Sequence, residues 1–175
     1  MHPEHFLFTG TEGGHMSQSP GQLNSGGDAA CELPRGNPPE EQIRRLLGEI
    51  RSVAIVGISD KPERDSYRVA AYLQRQGYYI LPVNPNVSEV LGEKAYRQLT
   101  ELPEKPDAVV VFRRPDAVPE IVEQARQVGA KILWLQLGIV NNAAADKARA
   151  AGMIVVQNRC IMQDHLRLQT ALPDP

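Results

Sequence analysis

An apolar run that stops at a glycine constrains how this sequence can fold more tightly than any other feature. Residues 53–56 (VAIV) are apolar, Gly57 ends the run, a polar loop follows, and from about Ser66 to Gln76 apolar residues return at helical spacing. A strand, a glycine turn and a helix in this order form the opening unit of nucleotide-binding α/β domains, in which a phosphate binds at the amino end of the helix. The stretch therefore predicts an α/β domain with an anion site in its first loop.

The loop that follows Gly57 carries several groups that bind phosphate. Glycine permits a tight turn and lets a ligand approach the backbone. The hydroxyls of Ser59 and Ser66 and the cations Lys61 and Arg64 supply anion ligands, and the helix behind them adds free N–H groups and the positive end of its dipole. A turn that needs glycine for its geometry alone is the alternative. The meeting of glycine, hydroxyls and cations in one loop favours the phosphate site.

Predicted helices and strands alternate along the rest of the chain. Helices are expected at 40–50, 66–76, 116–128, 141–151 and 161–168, and strands at 53–56, 78–83, 107–112, 131–135 and 153–156. Asp116 is expected to cap the third helix, and Asn141 or Asn142 the fourth. The stretch 88–102 is less regular, with a short helix near 97–102. Strands separated by helices form parallel βαβ units with right-handed crossovers, which predicts a Rossmann-like, doubly wound parallel sheet of about five strands in a three-layer α/β/α domain.

Composition divides the chain of 175 residues into a tail, a domain and a short end. Residues 1–37 are rich in Gly, Ser, Pro, Asn and Gln and show no lasting apolar periodicity, which predicts a disordered amino-terminal tail. Residues 38–170 form the predicted domain, which is long enough to bury a sizeable core. Residues 171–175 are expected to form a carboxyl-terminal tail.

Charge, hydropathy and cysteine usage exclude several classes of protein. The formal net charge is −2 and the basic residues do not concentrate in one segment, so no nucleic-acid partner is expected. No apolar run reaches the length of about eighteen residues that a membrane span needs. Cys31 and Cys160 are far apart, which indicates a reducing, cytoplasmic setting and no disulfide framework. The four scattered histidines predict no metal site.

Polar or glycine-containing clusters follow each of the five predicted strands. The carboxyl ends of parallel strands meet at one edge of a sheet, where α/β domains bind their ligands. Five clusters are therefore expected to meet along this edge, called the rim below: residues 57–66, 84–86, 113–114, 136–138 and 158–160.

The first loop departs from the common nucleotide-binding motifs. A dinucleotide-binding domain carries G-x-G-x-x-G in this turn and an acidic residue at the end of the second strand. Here Gly57 stands alone, Ser59 takes the place of the second glycine, and the second strand ends at Asn84-Pro85. The P-loop motif G-x-x-x-x-G-K-[ST] is absent as well. The cations near the loop favour a ligand with several phosphates and no bound metal.

Five motifs in order along the chain resemble one family. They read V-G-I-S-x-K-P-x-R-x-S, P-V-N-P, V-V-F-R-R-P, W-L-Q-L-G and N-R-C-x-M-x-x-H. The chain resembles, over residues 40–168, the small CoA-binding domain family, whose members are single-domain relatives of the CoA-binding domain of succinyl-CoA synthetase. The synthetase also uses a phosphorylated histidine and nucleotide-grasp domains, which lie outside the matched region, so the resemblance implies no catalytic residue.

The resemblance implies a Rossmann-like fold with coenzyme A (CoA) bound along the rim. The CoA phosphates would contact Gly57, Ile58, Ser59, Lys61, Arg64 and Ser66. The adenosine end would contact Asn84, Pro85 and Asn86, and the pantetheine arm would pass Phe112, Arg113, Gln136 and Gly138. The end motif of the family falls on Asn158, Arg159 and Cys160, which the resemblance includes among the CoA-binding residues.

Several single residues have a functional and a structural interpretation. Cys160 beside a CoA thiol would form a mixed disulfide, or it is an inert cysteine at a strand end. His165 is a potential general base, but no partner for catalysis stands beside it in the sequence, which favours a structural histidine. Arg113 and Arg114 either grip a phosphate or form a solvated pair. Trp134 lies in an apolar strand and is expected in the core.

The phosphate-binding features of the first loop, together with the family resemblance, imply non-covalent binding of CoA or a short acyl-CoA, without catalysis by the domain itself. One alternative is a detached CoA-binding subunit of an acyl-CoA synthetase or transferase, which needs a protein partner. Another is a sensor of the NAD(H) or CoA redox state, and a purely structural role is the third.

Overall fold

The structure, a computed structural model, describes residues 32–169, so the predicted tail residues 1–31 and 171–175 lie outside the described part. The described residues form seven strands: β1 Ser52–Val56, β2 Tyr79–Val83, β3 Glu89–Val90, β4 Glu93–Lys94, β5 Ala108–Val111, β6 Ile132–Leu135 and β7 Ile154–Val156. Five α-helices accompany them: α1 Glu40–Glu49, α2 Asp65–Arg75, α3 Val118–Gln127, α4 Asn142–Ala150 and α5 Ile161–Gln169. None of the described helices is long and apolar enough to cross a membrane.

Five of the strands form one parallel sheet in the order β2-β1-β5-β6-β7. The chain runs outward from β1 to β2 and then returns to place β5 on the other side of β1. The strand order therefore reverses between β1 and β5, and a crevice opens at such a switch point in doubly wound sheets. The predicted Rossmann-like fold with about five parallel strands is confirmed.

The sheet is buried on both faces, which explains why its strands are nearly continuous apolar runs. One face packs against α1, α2 and α5 through residues such as Ile43, Leu73 and Ile161. The opposite face packs against α3 and α4 through residues such as Ile121 and Ala145. The three predicted layers are therefore present, and Trp134 is fully buried among them as expected.

The expected caps hold at one helix and fail at another. Asn141 accepts a hydrogen bond from the N–H of Ala144 at 2.9 Å and caps α4. Asp116 does not cap the third helix: a 3-10 turn, Pro115–Ala117, precedes α3, and no side chain in the described part of the chain caps α3. The Asp116 carboxylate instead lies 3.4 Å from Arg114 on the surface.

A small hairpin in the irregular stretch was not predicted. The strands β3 and β4 pair antiparallel through a two-residue turn at Leu91 and Gly92, where both φ angles are positive. Positive φ at both turn positions matches a type I′ hairpin turn. The short helix expected near 97–102 is a 3-10 turn, Leu99–Glu101.

Residues 32–37, which were predicted to belong to the tail, are hydrogen bonded to the domain. The side chain of Asn37 donates to the carbonyl of Gln157 at 2.9 Å and accepts from its N–H at 2.8 Å. The N–H of Arg35 donates to Asn142 Oδ1 at 2.9 Å. The described domain thus begins before residue 38. Its first segment is held by polar contacts beside the edge strand β7, and such contacts leave no apolar pattern in the sequence.

Candidate functional site at the rim

The strand ends are level across the sheet. Val83, Val56, Val111 and Leu135 pair in register as last residues of adjacent strands. The residues that follow them therefore stand side by side at the rim: Asn84, Gly57, Phe112 and Gln136. These four residues belong to clusters that the sequence predicted to meet, and the parallel sheet brings them together.

Gly57 brings the loop after β1 close to the loop after β5. Its φ is +84°, which favours glycine, and its N–H donates to the carbonyl of Val83 at 2.9 Å. A Cβ atom on Gly57 would lie 2.8 Å from Cδ of Arg113 and 3.1 Å from the carbonyl oxygen of Phe112. Both the backbone angle and the surrounding atoms thus require glycine at the switch point.

The first loop is held by its own hydroxyl groups. Ser66, which is buried in the first turn of α2, accepts a hydrogen bond from the N–H of Ser59 at 3.0 Å. Ser59 in turn accepts from the N–H of Lys61 at 3.2 Å. Each hydroxyl therefore keeps its own proton for an anion. Among residues 32–169, no side chain caps the amino end of α2 at Arg64, so its first N–H groups are also available to a ligand.

The charges of this loop are balanced, because carboxylates that the sequence analysis did not count accompany its cations. Residues 57–68 contain three cations and three carboxylates: Lys61, Arg64, Arg68, Asp60, Glu63 and Asp65. Arg68 pairs with Asp65. Lys61 and Arg64 are exposed and pair with no carboxylate of residues 32–169. Binding of a phosphate here would depend on directed N–H and O–H donors together with these two cations.

Asn84 ties the second rim cluster to the first. Its side-chain amide donates to the carbonyl of Ile58 at 2.6 Å, and its Oδ1 accepts from the N–H of Asn86 at 2.9 Å. Pro85 beside it borders a cavity of about 470 Å³ on the α3 face of the sheet, which Gly57 and Arg113 also line. Asn84 therefore shapes the loop, while Pro85 faces open space.

A second cavity, called the thiol cavity below, opens on the α2 and α5 face. It measures about 510 Å³, and its walls include Phe112, Gln136, Leu137, Ile139, Cys160 and Met162. Gln136 is only 4% exposed, yet its Nε2 has no hydrogen-bond partner among the described residues. A buried amide donor without an acceptor is costly, and it indicates a position that a ligand can satisfy.

In the end motif, Asn158 and Arg159 hydrogen bond to neighbouring loops and helices, whereas Cys160 lines the thiol cavity. Asn158 has a φ of +56° and accepts from the N–H of Gly138 at 2.8 Å, so it joins the loops after β6 and β7. Arg159 donates to both oxygens of Asp164, at 2.7 and 2.8 Å, and this hydrogen bonding raises its pKa. The Arg159 guanidinium is therefore directed at α5, and its contact with CoA stays a prediction. Cys160 lines the thiol cavity and is 8% exposed.

His165 lies away from the rim. Its Nδ1 is 2.7 Å from the hydroxyl of Tyr72 and its Nε2 is 2.8 Å from the amide of Gln169, so both ring nitrogens are engaged. Burial lowers its pKa. These contacts support the interpretation as a structural histidine. Within residues 32–169, no three of the His, Cys, Asp and Glu side chains are grouped so that they could hold a metal ion.

Comparison with known proteins points to one family. The family profile described as "CoA binding domain" matches residues 51–165. The uncharacterized protein YneT of Bacillus subtilis (strain 168) is 37% identical over 129 residues, which cover 74% of this chain and 96% of YneT. A hypothetical protein from Pyrococcus horikoshii OT3, of known structure, is 43% identical with a TM-score of 0.75, covering 79% of this chain and 97% of its own.

A larger enzyme subunit matches in part. The alpha subunit of acetate–CoA ligase [ADP-forming] II from Pyrococcus furiosus is 30% identical over 131 residues, or 67% of this chain. The match spans 29% of the subunit's own length.

Proposed function

This chain belongs to the CoA-binding domain family, and we propose that it binds CoA or a short acyl-CoA non-covalently at its rim. The family is related to acyl-CoA synthetase subunits. The observation that carries the proposal is the position of Gly57. A Cβ atom on this residue would crowd Arg113 and the carbonyl oxygen of Phe112, and Gly57 lines the cavity on the α3 face. The thiol cavity lies on the other face and is lined by Phe112.

The two cavities and the loop between them suit the three parts of CoA. The phosphates would accept hydrogen bonds from the hydroxyls of Ser59 and Ser66 and from the first turn of α2. The adenosine end would lie towards Pro85, and the pantetheine arm would pass Phe112 into the thiol cavity. In this arrangement Asn84, Asn158 and Arg159 hold the loops in place and need not contact the ligand.

The alternative of an NAD(H) sensor has less support at the end of β2. An acidic residue there would bind the ribose hydroxyls of NAD. Asn84 occupies the position, and its amide is already used by the carbonyl of Ile58. Its remaining acceptor is used by the N–H of Asn86. The ribose contact of a usual NAD site therefore has no counterpart in Asn84.

A role as a detached subunit of an acyl-CoA synthetase is a second candidate. The match to the Pyrococcus furiosus alpha subunit favours it, because that subunit carries further sequence beyond the matched part. Such an activity needs a protein partner that supplies the phosphorylated histidine. Acyl transfer to CoA that depends on a co-purified chain would support this candidate, and the cytoplasm is the location we propose for either role.

A thermal-shift titration tests the proposal directly. CoA and acetyl-CoA are compared with NAD, NADH, ATP and ADP. A ligand at about a hundred times its dissociation constant stabilises the native state by about 2.7 kcal/mol, which is a readable shift. We expect the melting temperature to rise with the CoA species and to change less with the others. A larger rise with NADH would favour the sensor, and indifference to every ligand would overturn the proposal.

A further inference from the structure

The thiol cavity holds two reactive or unsatisfied groups that reversible CoA binding does not by itself require. The wall is mostly apolar, with Leu137, Ile139 and Met162 among its residues. Within this wall stand the unpartnered amide of Gln136 and the thiol of Cys160, which forms no disulfide. An amide donor and a thiol in one apolar cavity match the end of a pantetheine arm, which consists of amides and a terminal sulfur.

We propose that Cys160 captures CoA-containing disulfides and forms a mixed disulfide with the CoA sulfur. This inference rests on the proposed function, because the pantetheine arm must first enter the thiol cavity. The site is then both a binding site for CoA and a modification site, at which Cys160 becomes modified when the CoA thiol has been oxidised to a disulfide.

Gln136 supplies the anchor for the arm. Its side chain is more than nine-tenths buried, and its Nε2 finds no acceptor within residues 32–169. A pantetheine carbonyl oxygen that accepts this hydrogen bond removes the cost of the unpaired donor. The arm is thereby fixed in the cavity whose wall also contains Cys160, so the two sulfur atoms are brought together.

The burial of Cys160 supplies selectivity. At 8% exposure the thiol is shielded from bulk solvent, and the thiol cavity is the space that it lines. A disulfide reaches it only if one of its arms is slender enough to enter beside Phe112 and is held there. CoA disulfide meets this requirement, whereas glutathione disulfide lacks the nucleotide that the rim would bind.

The chemical step is thiol–disulfide exchange. The Cys160 thiol loses its proton to solvent, and the thiolate attacks one sulfur of CoA disulfide. The bond between the two CoA sulfurs breaks as the bond between Cys160 Sγ and one CoA sulfur forms. The other CoA leaves as a thiolate and takes up a proton. The disulfide is the oxidant, so no further electron acceptor is needed, and a thiol reductant reverses the reaction.

Intact-mass spectrometry of the full chain tests the inference, with the second cysteine as a matched control. The reduced protein is mixed with CoA disulfide, and the expected adduct is one CoA less two hydrogens. Cys31→Ser should keep the adduct and Cys160→Ser should lose it. Glutathione disulfide at the same concentration should react at least about tenfold more slowly, and Gln136→Leu should slow the reaction with CoA disulfide by about tenfold.

The outcomes separate this inference from the proposed function. An adduct on Cys31 alone, no adduct, or equal rates with the two disulfides would overturn the capture by Cys160. If CoA still raises the melting temperature in any of those cases, the proposed binding stands and only the thiol chemistry fails. If CoA produces no shift and neither disulfide reacts selectively, both fail. In denaturant both cysteines should react with either disulfide, which checks that the thiols and the reagents are competent.

Discussion

Gly57 and Arg113 approach so closely that a Cβ atom on the glycine would lie 2.8 Å from Cδ of the arginine. The approach follows from the sheet: Val56 pairs with Val111, and the N–H of Phe112 donates to the carbonyl of Val56 at 2.9 Å. The loops after β1 and β5 therefore leave the sheet side by side. A ligand that crossed the rim at this point would contact the backbone of Gly57, which carries no side chain.

Replacement of Gly57 by alanine should weaken both the fold and CoA binding. The positive φ costs roughly 1–2 kcal/mol for an L-residue. The new methyl group would also lie 3.1 Å from the carbonyl oxygen of Phe112, which is backbone and yields little, although the Arg113 side chain can move aside. We expect a lower melting temperature and a CoA affinity reduced by about tenfold or more, measured by thermal unfolding and calorimetric titration.

Gly152→Ala is the matched control for this change. Gly152 also has a positive φ, +87°, but a Cβ atom there would meet nothing within 4 Å. The control should therefore show the cost of the backbone angle alone and leave CoA affinity unchanged. Equal effects of the two substitutions on stability and on affinity would mean that crowding at the rim is unimportant.

Charge reversal at Lys61 and Arg64 should remove most of the CoA affinity. The loop is neutral as a whole, so replacement of both residues by glutamate turns the surroundings of the phosphates strongly negative. Affinity should fall by more than about tenfold, and the wild-type affinity should itself decline with added salt. The double variant Lys105→Glu/Lys147→Glu changes the net charge equally at exposed positions away from the rim. A loss of less than about twofold at Lys61 and Arg64 would leave the backbone donors as the phosphate ligands.

The main elements and the position of the rim were predictable because their signals are local. Each strand of the main sheet is an apolar run, and glycines such as Gly57 and Gly129 end elements within one or two residues of the predicted bounds. Once the strands are parallel, their carboxyl ends must share one edge. This is why the sequence alone groups Gly57, Asn84, Phe112 and Gln136 correctly.

Contacts between distant polar groups were not predictable in the same way. The partners of Arg159 are Asp164 on the next helix and Glu40, which is far away in the sequence. Spacing alone cannot distinguish such a guanidinium from one that binds phosphate. The segment at 32–37 was missed for the same reason. The sequence also cannot show that no hydrogen-bond acceptor lies near the amide of Gln136. For the β3–β4 hairpin, Gly92 was the sole local signal.

His165 should make the protein less stable in mild acid. Its pKa in the folded protein is lowered by burial, so the unfolded chain binds its proton first as the pH falls below about 6.5. The stabilisation is complete above that pH and is lost as the pH falls through the folded pKa, by at most about 1.4 kcal/mol per pH unit. Urea unfolding between pH 8 and pH 5 measures this dependence.

The variant His165→Gln isolates the contribution of this one ring. The variant does not titrate at position 165, so its free energy of unfolding should fall less steeply over the same range. Asp107 affects stability only below about pH 4, outside this range. Burial raises the pKa of its carboxyl group, but hydrogen bonds from Arg51 and Ser52 lower that pKa by more, so the net shift is downward. Equal slopes for the wild type and the variant would show that His165 titrates normally.

Replacement of Arg159 distinguishes a residue that supports the fold from one that binds the ligand. Its guanidinium forms two hydrogen bonds with Asp164, whose side chain is 9% exposed, and its carbonyl oxygen accepts from Trp134 Nε1 at 2.7 Å. Arg159→Leu leaves the Asp164 carboxylate buried with a longer contact to Arg167, at 3.3 Å. Because Arg167 remains as a partner, the loss of the two hydrogen bonds from Arg159 should cost on the order of 2 kcal/mol, which chemical unfolding detects.

The CoA dissociation constant of Arg159→Leu should nevertheless stay within about threefold of the wild-type value, provided that it is measured well below the melting temperature. Asp164→Asn should behave alike, because the hydrogen-bonded pair is broken from the other side. The double variant should lose less stability than the sum of the single losses, since the two residues act on each other. A large loss of CoA affinity in Arg159→Leu with unchanged stability would return this arginine to the ligand site and assign the end motif to binding.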